Sequence, residues 1–383
     1  LSILKTPDIF LKIFVLCIMF LFFVTDGNAQ MGWQQSFGQS PGQVLIKALK
    51  FKEPLTFCNE PVPFNEGDVK ERLERELLVA LSNSDDVILW IKRSHRYFPH
   101  IEKVLKNNSM PDDLKYIVIT ESHLKPMASS SKGAVGFWQF IEGTGSRYGM
   151  KINKDIDERR NFFISTDAAV VYLKDLYALF GSWTLAAAAY NMGEDGLKTE
   201  MLMQKVNNYY KLYLNQETQR YVFKILAAKM IISNPDKYGF FLTDEDFYKP
   251  LQFDQVEITV NKSVPIHIVA QAANTCFKII KDLNPHINNY NLPAGTHHIL
   301  IPKGAATGFH ERYENLLKQW LEEKEKVVYT VEKGDTLASI AKRFNVSIKA
   351  IMKWNNLSGV KDFSPGDKLL IFTDTMIFDP SRR

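Results

Sequence analysis

The chain has 383 residues, 45% of them hydrophobic, which is enough to bury more than one core, so we expect two or three domains. Its formal net charge is only +4, and basic residues are interleaved with acidic ones rather than gathered in one block. This pattern argues against a nucleic-acid partner and is typical of an ordinary solvated surface, although mild basicity would also suit an anionic polymer.

An apolar run lies near the start of the chain. The run IFVLCIMFLFFV spans residues 13–24 and is followed by the small residues Gly27 and Ala29. It is too short to span a membrane comfortably, so it predicts a signal peptide over residues 1–29, cut after Ala29, and an exported protein. A retained anchor is the alternative. Cys17 lies inside the run behind a bulky leucine, which argues against a lipid-attached cysteine.

Residues 30–65 are rich in Gly, Gln, Pro and Ser and predict a flexible lead-in. Helical periodicity then starts at NEGDVKERLERELLVAL and continues to about Tyr238, through segments such as STDAAVVYLKDLYALF and WTLAAAAYN. These segments predict one α-helical domain over residues 66–245.

The last third of the chain contains an internal repeat of roughly 45 residues. Both copies, at residues 246–304 and 327–373, have the pattern of strand, helix, helix and strand. A charged linker helix at residues 305–326 separates them, and residues 374–383 form a C-terminal tail. Laying the copies over each other without a gap aligns Val260 with Val331, Ala270 with Ala341, Asn274 with Asn345, and Asn284 with Asn355.

Neither metal nor disulfide chemistry has support in the sequence. Beyond the apolar run only Cys58 and Cys276 remain, far apart and in no C-x-x-C pair. The histidines show no H-E-x-x-H spacing, and there is no phosphate-cradling glycine loop or G-x-S-x-G elbow. We therefore expect no metal and no cofactor.

A single glutamate, Glu121, ends the apolar run in YIVITESHLKPM. A helix that begins at Pro111 would bury one face, made of Leu114, Ile117, Val118 and Glu121. Burial and the negative end of the helix dipole both raise the pKa of a carboxyl, which would make this group a general acid suited to cleaving a glycosidic bond. The alternative is an ordinary helix-end glutamate that points to solvent or pairs with Lys125.

The segment GAVGFWQF follows shortly after. Gly133 and Gly136 would let the backbone approach a ligand closely, and Trp138 and Gln139 offer an aromatic face and an amide suited to sugars. A helix start with a packed aromatic residue is the alternative.

Three motifs together carry a family resemblance. The segment ESHLKPMASSSKGAVGFWQF resembles the signature of the soluble-type lytic murein transglycosylases, and AAAAYNMG and ETQRYV resemble their later motifs in the same order. The flanking segments resemble the membrane-bound D type of the family, and the last repeat, with YTVEKGDTLASIAKRFNV, is similar to LysM modules, which bind N-acetylglucosamine-containing chains. The resemblance implies a mainly α fold, with a lysozyme-like helical catalytic domain followed by small α+β (βααβ) LysM-type modules.

The resemblance also implies a reaction. Glu121 would be the sole catalytic acid and base in cleaving peptidoglycan between N-acetylmuramic acid and N-acetylglucosamine, leaving 1,6-anhydromuramic acid ends. Glycan strands would be the partner, and the enzyme would be a monomer in the periplasm or cell envelope, with association with the outer membrane left open. A serine next to the acid, Ser122, would support the structure, since no adjacent base is evident. Residues implied to contact the substrate or support the acid are Ser130, Gln139, Tyr190, Asn191, Glu217 and Tyr221.

Two rival functions remain. A hydrolytic muramidase would need a second carboxylate about 5 to 9.5 Å from the first, and Glu142, Asp155 and Asp157 are the nearest in sequence, although surface or capping roles suit them better. A non-catalytic cell-wall-binding protein is the other rival. The first repeat has KSVPI where the second has KGDTL, so we expect a degenerate LysM-like module that no longer binds sugar.

Overall fold

The structure, a computed structural model, describes residues 45–46, 48–50, 54–360 and 362–372. The predicted signal peptide, most of the lead-in and the C-terminal tail lie outside the described residues. No helix within the described ranges is long and apolar enough to cross a bilayer.

Thirteen α-helices cover about half of the described chain and the strands are short, which confirms the mainly α fold class. The helices before the repeats are α1 Val69–Ser82, α2 Ser84–Asn107, α3 Ile117–Ser122, α4 Glu142–Arg147, α5 Phe162–Phe180, α6 Trp183–Met192, α7 Glu194–Gln204 and α8 Gln216–Ser233. The later helices are α9 Ile266–Ala272, α10 Phe277–Leu283, α11 Phe309–Val327, α12 Leu337–Phe344 and α13 Ile348–Trp354.

The strands form four small antiparallel pairs in the described residues. They are β1 Thr56–Phe57 with β2 Glu60–Pro61, β3 Phe253–Val260 with β6 Gly295–Pro302, β4 Val264–Pro265 with β5 Asn291–Leu292, and β7 Val328–Thr330 with β8 Lys368–Leu370. Each repeat therefore has its own pair, in the predicted order of strand, helix, helix and strand.

The largest core lies among the helices before the repeats. Helix α6 is central to it, since it contacts both α5 and α8 and its four successive alanines, Ala186 to Ala189, are fully buried. A helix that is apolar all round is stable only when it is enclosed on all sides. This enclosure fixes the C-terminal end of α6, where two of the predicted site residues stand.

The predicted helix around Glu121 forms in two parts. A 3₁₀ turn at Asp112–Tyr116 leads into α3, and Leu114, Ile117 and Val118 are fully buried, as the periodicity predicts. The helix ends because the next two residues, His123 and Leu124, both take left-handed backbone angles, with φ of 53° and 57°.

The predicted flexible lead-in is wrong for residues 54–65. There the β1–β2 hairpin packs on the helical core, with Phe57 fully buried. The Glu60 carboxylate accepts hydrogen bonds from the backbone N–H groups of Trp183 and Thr184 and from the Ser182 hydroxyl. It therefore binds the unsatisfied donors at the start of α6.

The two repeats share one asparagine at matching positions, as the alignment predicts. Asn284 brackets the backbone of Leu300, with its side chain donating to the carbonyl at 2.7 Å and accepting from the N–H at 2.9 Å. Asn355 makes the same pair of bonds to Leu370, at 2.8 and 2.6 Å. Each asparagine ties the second helix of its repeat to the last strand.

The first repeat is joined to the helical region by backbone hydrogen bonds. The Asp157 N–H donates to the His286 carbonyl and the Asn288 N–H donates to the Asp155 carbonyl, both at 2.8 Å. The linker helix α11 is charged, as predicted, but it also packs on this repeat, with Phe309 fully buried. The exact domain boundaries stay a prediction.

Substituting Glu60 tests whether the hairpin stabilises α6. We expect Glu60→Ala to lower the free energy of unfolding by about 2 kcal/mol, because the donors at the start of α6 lose a charged acceptor. Thermal or denaturant unfolding measures this loss. Glu314→Ala, the same change on an exposed face of α11, is the control, and equal stability of both variants would contradict the capping role.

Candidate active site

A cleft of about 860 Å³ runs between α3, the segment after it, α6 and α8. All seven site residues named from the sequence line it, and they come from four separate stretches of the chain. They are Glu121, Ser130, Gln139, Tyr190, Asn191, Glu217 and Tyr221. Their roles toward a substrate stay a prediction, but the fold brings them to one surface.

Glu121 lines the cleft and is half-buried, with its carboxyl surrounded largely by protein. Burial raises the pKa of this carboxyl to about 7. The Tyr221 hydroxyl donates a hydrogen bond to Glu121 Oε1 and opposes the rise, while the negative charge of Glu217 adds to it and Lys224 lowers it slightly. The carboxyl is therefore poised to exchange a proton near neutral pH.

The alternative for Glu121, a surface glutamate paired with Lys125, does not hold. Lys125 Nζ instead lies 3.7 Å from a carboxylate oxygen of Asp86. Tyr221, the hydrogen-bond donor to Glu121, is itself buried with 2% of its surface exposed. Because Tyr221 is buried, its hydrogen bond holds Glu121 Oε1 in place.

Ser122 ties α3 to the segment that forms one wall of the cleft. Its hydroxyl donates to the Phe137 carbonyl at 2.6 Å, which agrees with the predicted structural role. The Gln139 side-chain amide donates to the Ala128 and Gly136 carbonyls, at 3.2 and 2.8 Å, and so closes the same segment into a loop. The loop and the acid thus move together.

Two predictions for this loop are wrong. Trp138 is fully buried, with its indole N–H bonded to the Thr166 hydroxyl at 3.0 Å, so it cannot stack on a sugar. Gly136 does allow a close approach, but to protein, since a Cβ there would lie 1.9 Å from the Arg159 carbonyl oxygen. The φ of 84° also disfavours any residue with a side chain, so both the lack of space and the backbone angle require glycine there.

The Asp157–Arg159 pair anchors the loop from below. The two side chains form a buried ion pair at 2.8 Å, and Arg159 also donates to the Gly133 and Phe140 carbonyls at 3.0 and 3.1 Å. Asp157 is therefore a structural carboxylate, as the sequence favours.

The other two carboxylates weighed as catalytic partners lie elsewhere. Asp155 accepts a hydrogen bond from the Asn289 side chain, and Glu142 is exposed in the first turn of α4; neither lines the cleft.

Tyr190 and Asn191 are held at the end of α6. The Tyr190 hydroxyl donates to the Trp138 carbonyl at 2.7 Å, which leaves the ring as a wall of the cleft. Asn191 Oδ1 accepts from the buried Thr218 hydroxyl at 2.7 Å. These bonds connect α6 to the loop on one side and to α8 on the other.

Sequence reasoning missed one charged pair in the cleft. Glu194, at the start of α7, bonds to Arg147 at 2.7 Å and to the Tyr172 hydroxyl at 3.0 Å, and these donors lower its pKa despite partial burial. An acidic residue right after the helix-ending Met192–Gly193 is a signal that could have pointed to a helix start there.

Two family models and one well-covered relative match this chain. A family model described as the transglycosylase SLT domain matches residues 98–212, and one described as the LysM domain matches residues 329–372. Membrane-bound lytic murein transglycosylase D from Escherichia coli strain K12 is 34% identical over 320 residues, which cover 80% of this chain and 69% of that protein. The chain belongs to the lytic murein transglycosylase family.

Two other proteins resemble this lytic transglycosylase over a smaller part of the chain. A putative tributyltin chloride resistance protein from an Alteromonas species is 31% identical over 110 residues, or 28% of this chain and 53% of that one. The 70 kDa soluble lytic transglycosylase of Escherichia coli, a solved structure, shares 17% identity and a TM-score of 0.33, over 49% of this chain and 34% of that one.

The raised pKa of Glu121 predicts a pH-dependent stability. Its carboxyl binds a proton more tightly when folded, so this contribution to stability is present below pH 4.5 and is lost as the pH rises through about 7. We expect Glu121→Gln to remove the loss and to stabilise the transglycosylase at pH 8 by at most about 3 kcal/mol.

Unfolding curves of both proteins at pH 5 and pH 8 measure this difference. The exposed substitution Glu142→Gln is the control and should behave like the wild type. A Glu121→Gln variant that is equally or less stable than the wild type at pH 8 would contradict the buried, poised carboxyl.

Proposed function

We propose that this lytic transglycosylase cleaves the β-1,4 bond between N-acetylmuramic acid and N-acetylglucosamine in peptidoglycan and forms 1,6-anhydromuramic acid ends. The observation that carries the proposal is Glu121, a buried carboxyl with a pKa of about 7 in a cleft large enough for several sugars. Such a group is protonated in much of the population near neutral pH and ionised in the rest, so it can serve as acid and then as base.

The reaction would proceed in two proton transfers. Protonated Glu121 first gives its proton to the glycosidic oxygen, and the bond from that oxygen to the anomeric carbon of muramic acid breaks. The resulting carboxylate then takes the proton of the muramic acid 6-hydroxyl, whose oxygen attacks the same anomeric carbon. Glu121 ends protonated again, and no water is added.

Tyr221 supports both steps by orienting the carboxyl. Its hydroxyl bonds to Oε1 and stabilises the carboxylate formed after the first transfer. Because Tyr221 is buried, it is a positioning residue rather than a sugar contact.

The remaining cleft residues suit sugar recognition. Ser130 and Glu217 are exposed at the rim, and Asn191, Gln139 and the Tyr190 ring line the floor. Hydroxyl, amide, carboxylate and aromatic groups together match the polar edges and apolar faces of sugar rings.

The hydrolytic rival depends on a second carboxylate. Of the other acids that line the cleft, Glu194 is held by Arg147 and Tyr172, whereas Asp195 and Glu217 are exposed. Glu217 also lies 3.6 Å from Lys132. A water-activating mechanism would have to rest on Asp195 or Glu217, so substituting each of them separates the two reactions.

We further propose that the second repeat binds glycan and that the first does not. In the second repeat, Asp335 accepts bonds from the Tyr329 hydroxyl and the Glu332 N–H, which shapes the KGDTL loop around Gly334 at φ of 95°. In the first repeat the matching segment pairs as β4 with β5, and Val264 is buried. The matching residues 333–336 of the second repeat form no strand.

The location proposed for the enzyme is the periplasm or cell envelope, where its substrate lies. The support is the relative described as membrane-bound and the apolar run at residues 13–24.

Mass spectrometry of purified peptidoglycan digested by the protein tests the reaction. We expect muropeptides that end in 1,6-anhydromuramic acid, loss of at least a thousandfold in rate for Glu121→Gln because an amide cannot deliver a proton, and the same anhydro product at reduced rate for Glu217→Gln.

Other outcomes select the rivals. Reducing ends that vanish with Glu217→Gln or with Asp195→Asn would identify a hydrolase with two carboxylates. Intact glycan that still pulls down both the wild type and Glu121→Gln would leave a cell-wall-binding protein.

A further inference from the structure

A second cavity, of about 730 Å³, lies between the catalytic helices and the first repeat. It shares no lining residue with the active-site cleft. One chain segment separates the two spaces, since Leu124 to Met127 and Phe137 line the cavity while Gln139 lines the cleft. The cavity is therefore a distinct site next to the catalytic loop.

Positive charge dominates the lining of this cavity. Its basic residues are Arg93, Arg96, Lys125, Arg160 and Lys281, from both sides of the interface. The acidic residue in the lining is Asp282, and its carboxylate is already paired with Lys278. Among the described residues, Lys125 is the single member of the basic set that forms an ion pair.

The other four cations bond to neutral groups. Arg93 donates to the His123 carbonyl and Arg96 to the Lys249 carbonyl, while Arg160 donates to the Asn288 side chain. Lys281 donates to backbone carbonyls. Neutral acceptors satisfy hydrogen bonds but leave the charge uncompensated.

Two observations indicate that the positive charge in this cavity is not balanced. Arg160 Nε is buried and has no hydrogen-bond partner within the described chain. Burial and the nearby Arg160 charge both lower the pKa of Lys281. An anion in the cavity would compensate the Arg160 charge and would oppose the fall in the pKa of Lys281.

The walls of the cavity indicate the kind of anion. Leu124, Phe137, Phe162 and Leu283 supply apolar surface between the cations, and the total lining is more apolar than that of the cleft. A compact inorganic anion would leave this surface uncovered, whereas a short peptide with several carboxylates would cover it. The volume suits a ligand of a few residues.

We propose that this cavity binds a carboxylate-bearing peptide, of the kind that branches from the muramic acid residues of peptidoglycan. The identity of the peptide rests on the proposed function, whereas the preference for an anionic peptide rests on the cavity alone. A stem bound here would hold the substrate against the loop that also lines the catalytic cleft.

Calorimetric titration of the full-length Glu121→Gln protein tests the site without cleavage. The probe is the soluble peptide stem released from peptidoglycan by an amidase. We expect binding that weakens about tenfold in Arg96→Gln and in Lys281→Gln, because each substitution removes one charge-assisted bond. Arg75→Gln, an exposed arginine on α1, removes the same charge elsewhere and should bind like the parent.

Three results would overturn the proposal. They are no binding of the stem, equal binding of a stem whose carboxylates are amidated, and equal binding by both cavity variants when their unfolding curves show a folded protein. A fourth contrary result is inorganic phosphate that binds as tightly as the stem at the same residues. The cavity would then be a general anion site rather than a peptide site.

This experiment is independent of the catalytic proposal. If the wild type produces no anhydro ends but the stem still binds through Arg96 and Lys281, the proposed reaction fails and the anionic site stands. If anhydro ends form but the stem does not bind, the reaction stands and the site fails.

Discussion

The burial of one carboxyl group is the constraint on which the rest of this structure depends. Glu121 lies in the last turn of a short helix, on the face of the fully buried Ile117 and Val118, and Tyr221 fixes one of its oxygens. Shielding this carboxyl from water raises its pKa to about 7, so its protonated form persists near neutral pH at the cost of stability at higher pH. Stabilising contacts elsewhere in the fold must compensate for that loss of stability.

The support comes from a connected set of hydrogen bonds around the acid. Ser122 joins the helix of the acid to the cleft loop, and Arg159 holds that loop from below. The Asp157 backbone continues the path to the first repeat through His286. The first repeat is thus attached to the segment that anchors the cleft loop, which gives this repeat a structural role.

Local patterns predicted much of this arrangement. Periodicity of three and four residues placed Glu121 on a buried helix face, and alignment of the repeats found the asparagines that later proved to bracket the last strands, Asn284 and Asn355. The family motifs named seven residues that the fold gathers in one cleft. These features depend on neighbours in sequence or on a recurring pattern.

Contacts between distant residues could not be predicted in the same way. Glu60 binds the start of α6 from 123 positions away, so composition alone suggested a flexible lead-in. The sequence suggested that Trp138 stacks on a sugar, but its indole N–H bonds to Thr166 in the core. The basic cavity likewise assembles from Arg96, Arg160 and Lys281, which share no motif.

The protonation state of Glu121 is the quantity that tests the account most directly. A ¹³C NMR titration of protein labelled at the glutamate side-chain carboxyl, with the Glu121→Gln spectrum used to assign the signal, measures it. We expect the Glu121 carboxyl to titrate with a midpoint near pH 7. A midpoint near the ordinary glutamate value of about 4.3 would contradict it, because the group would then be ionised before it could act as an acid.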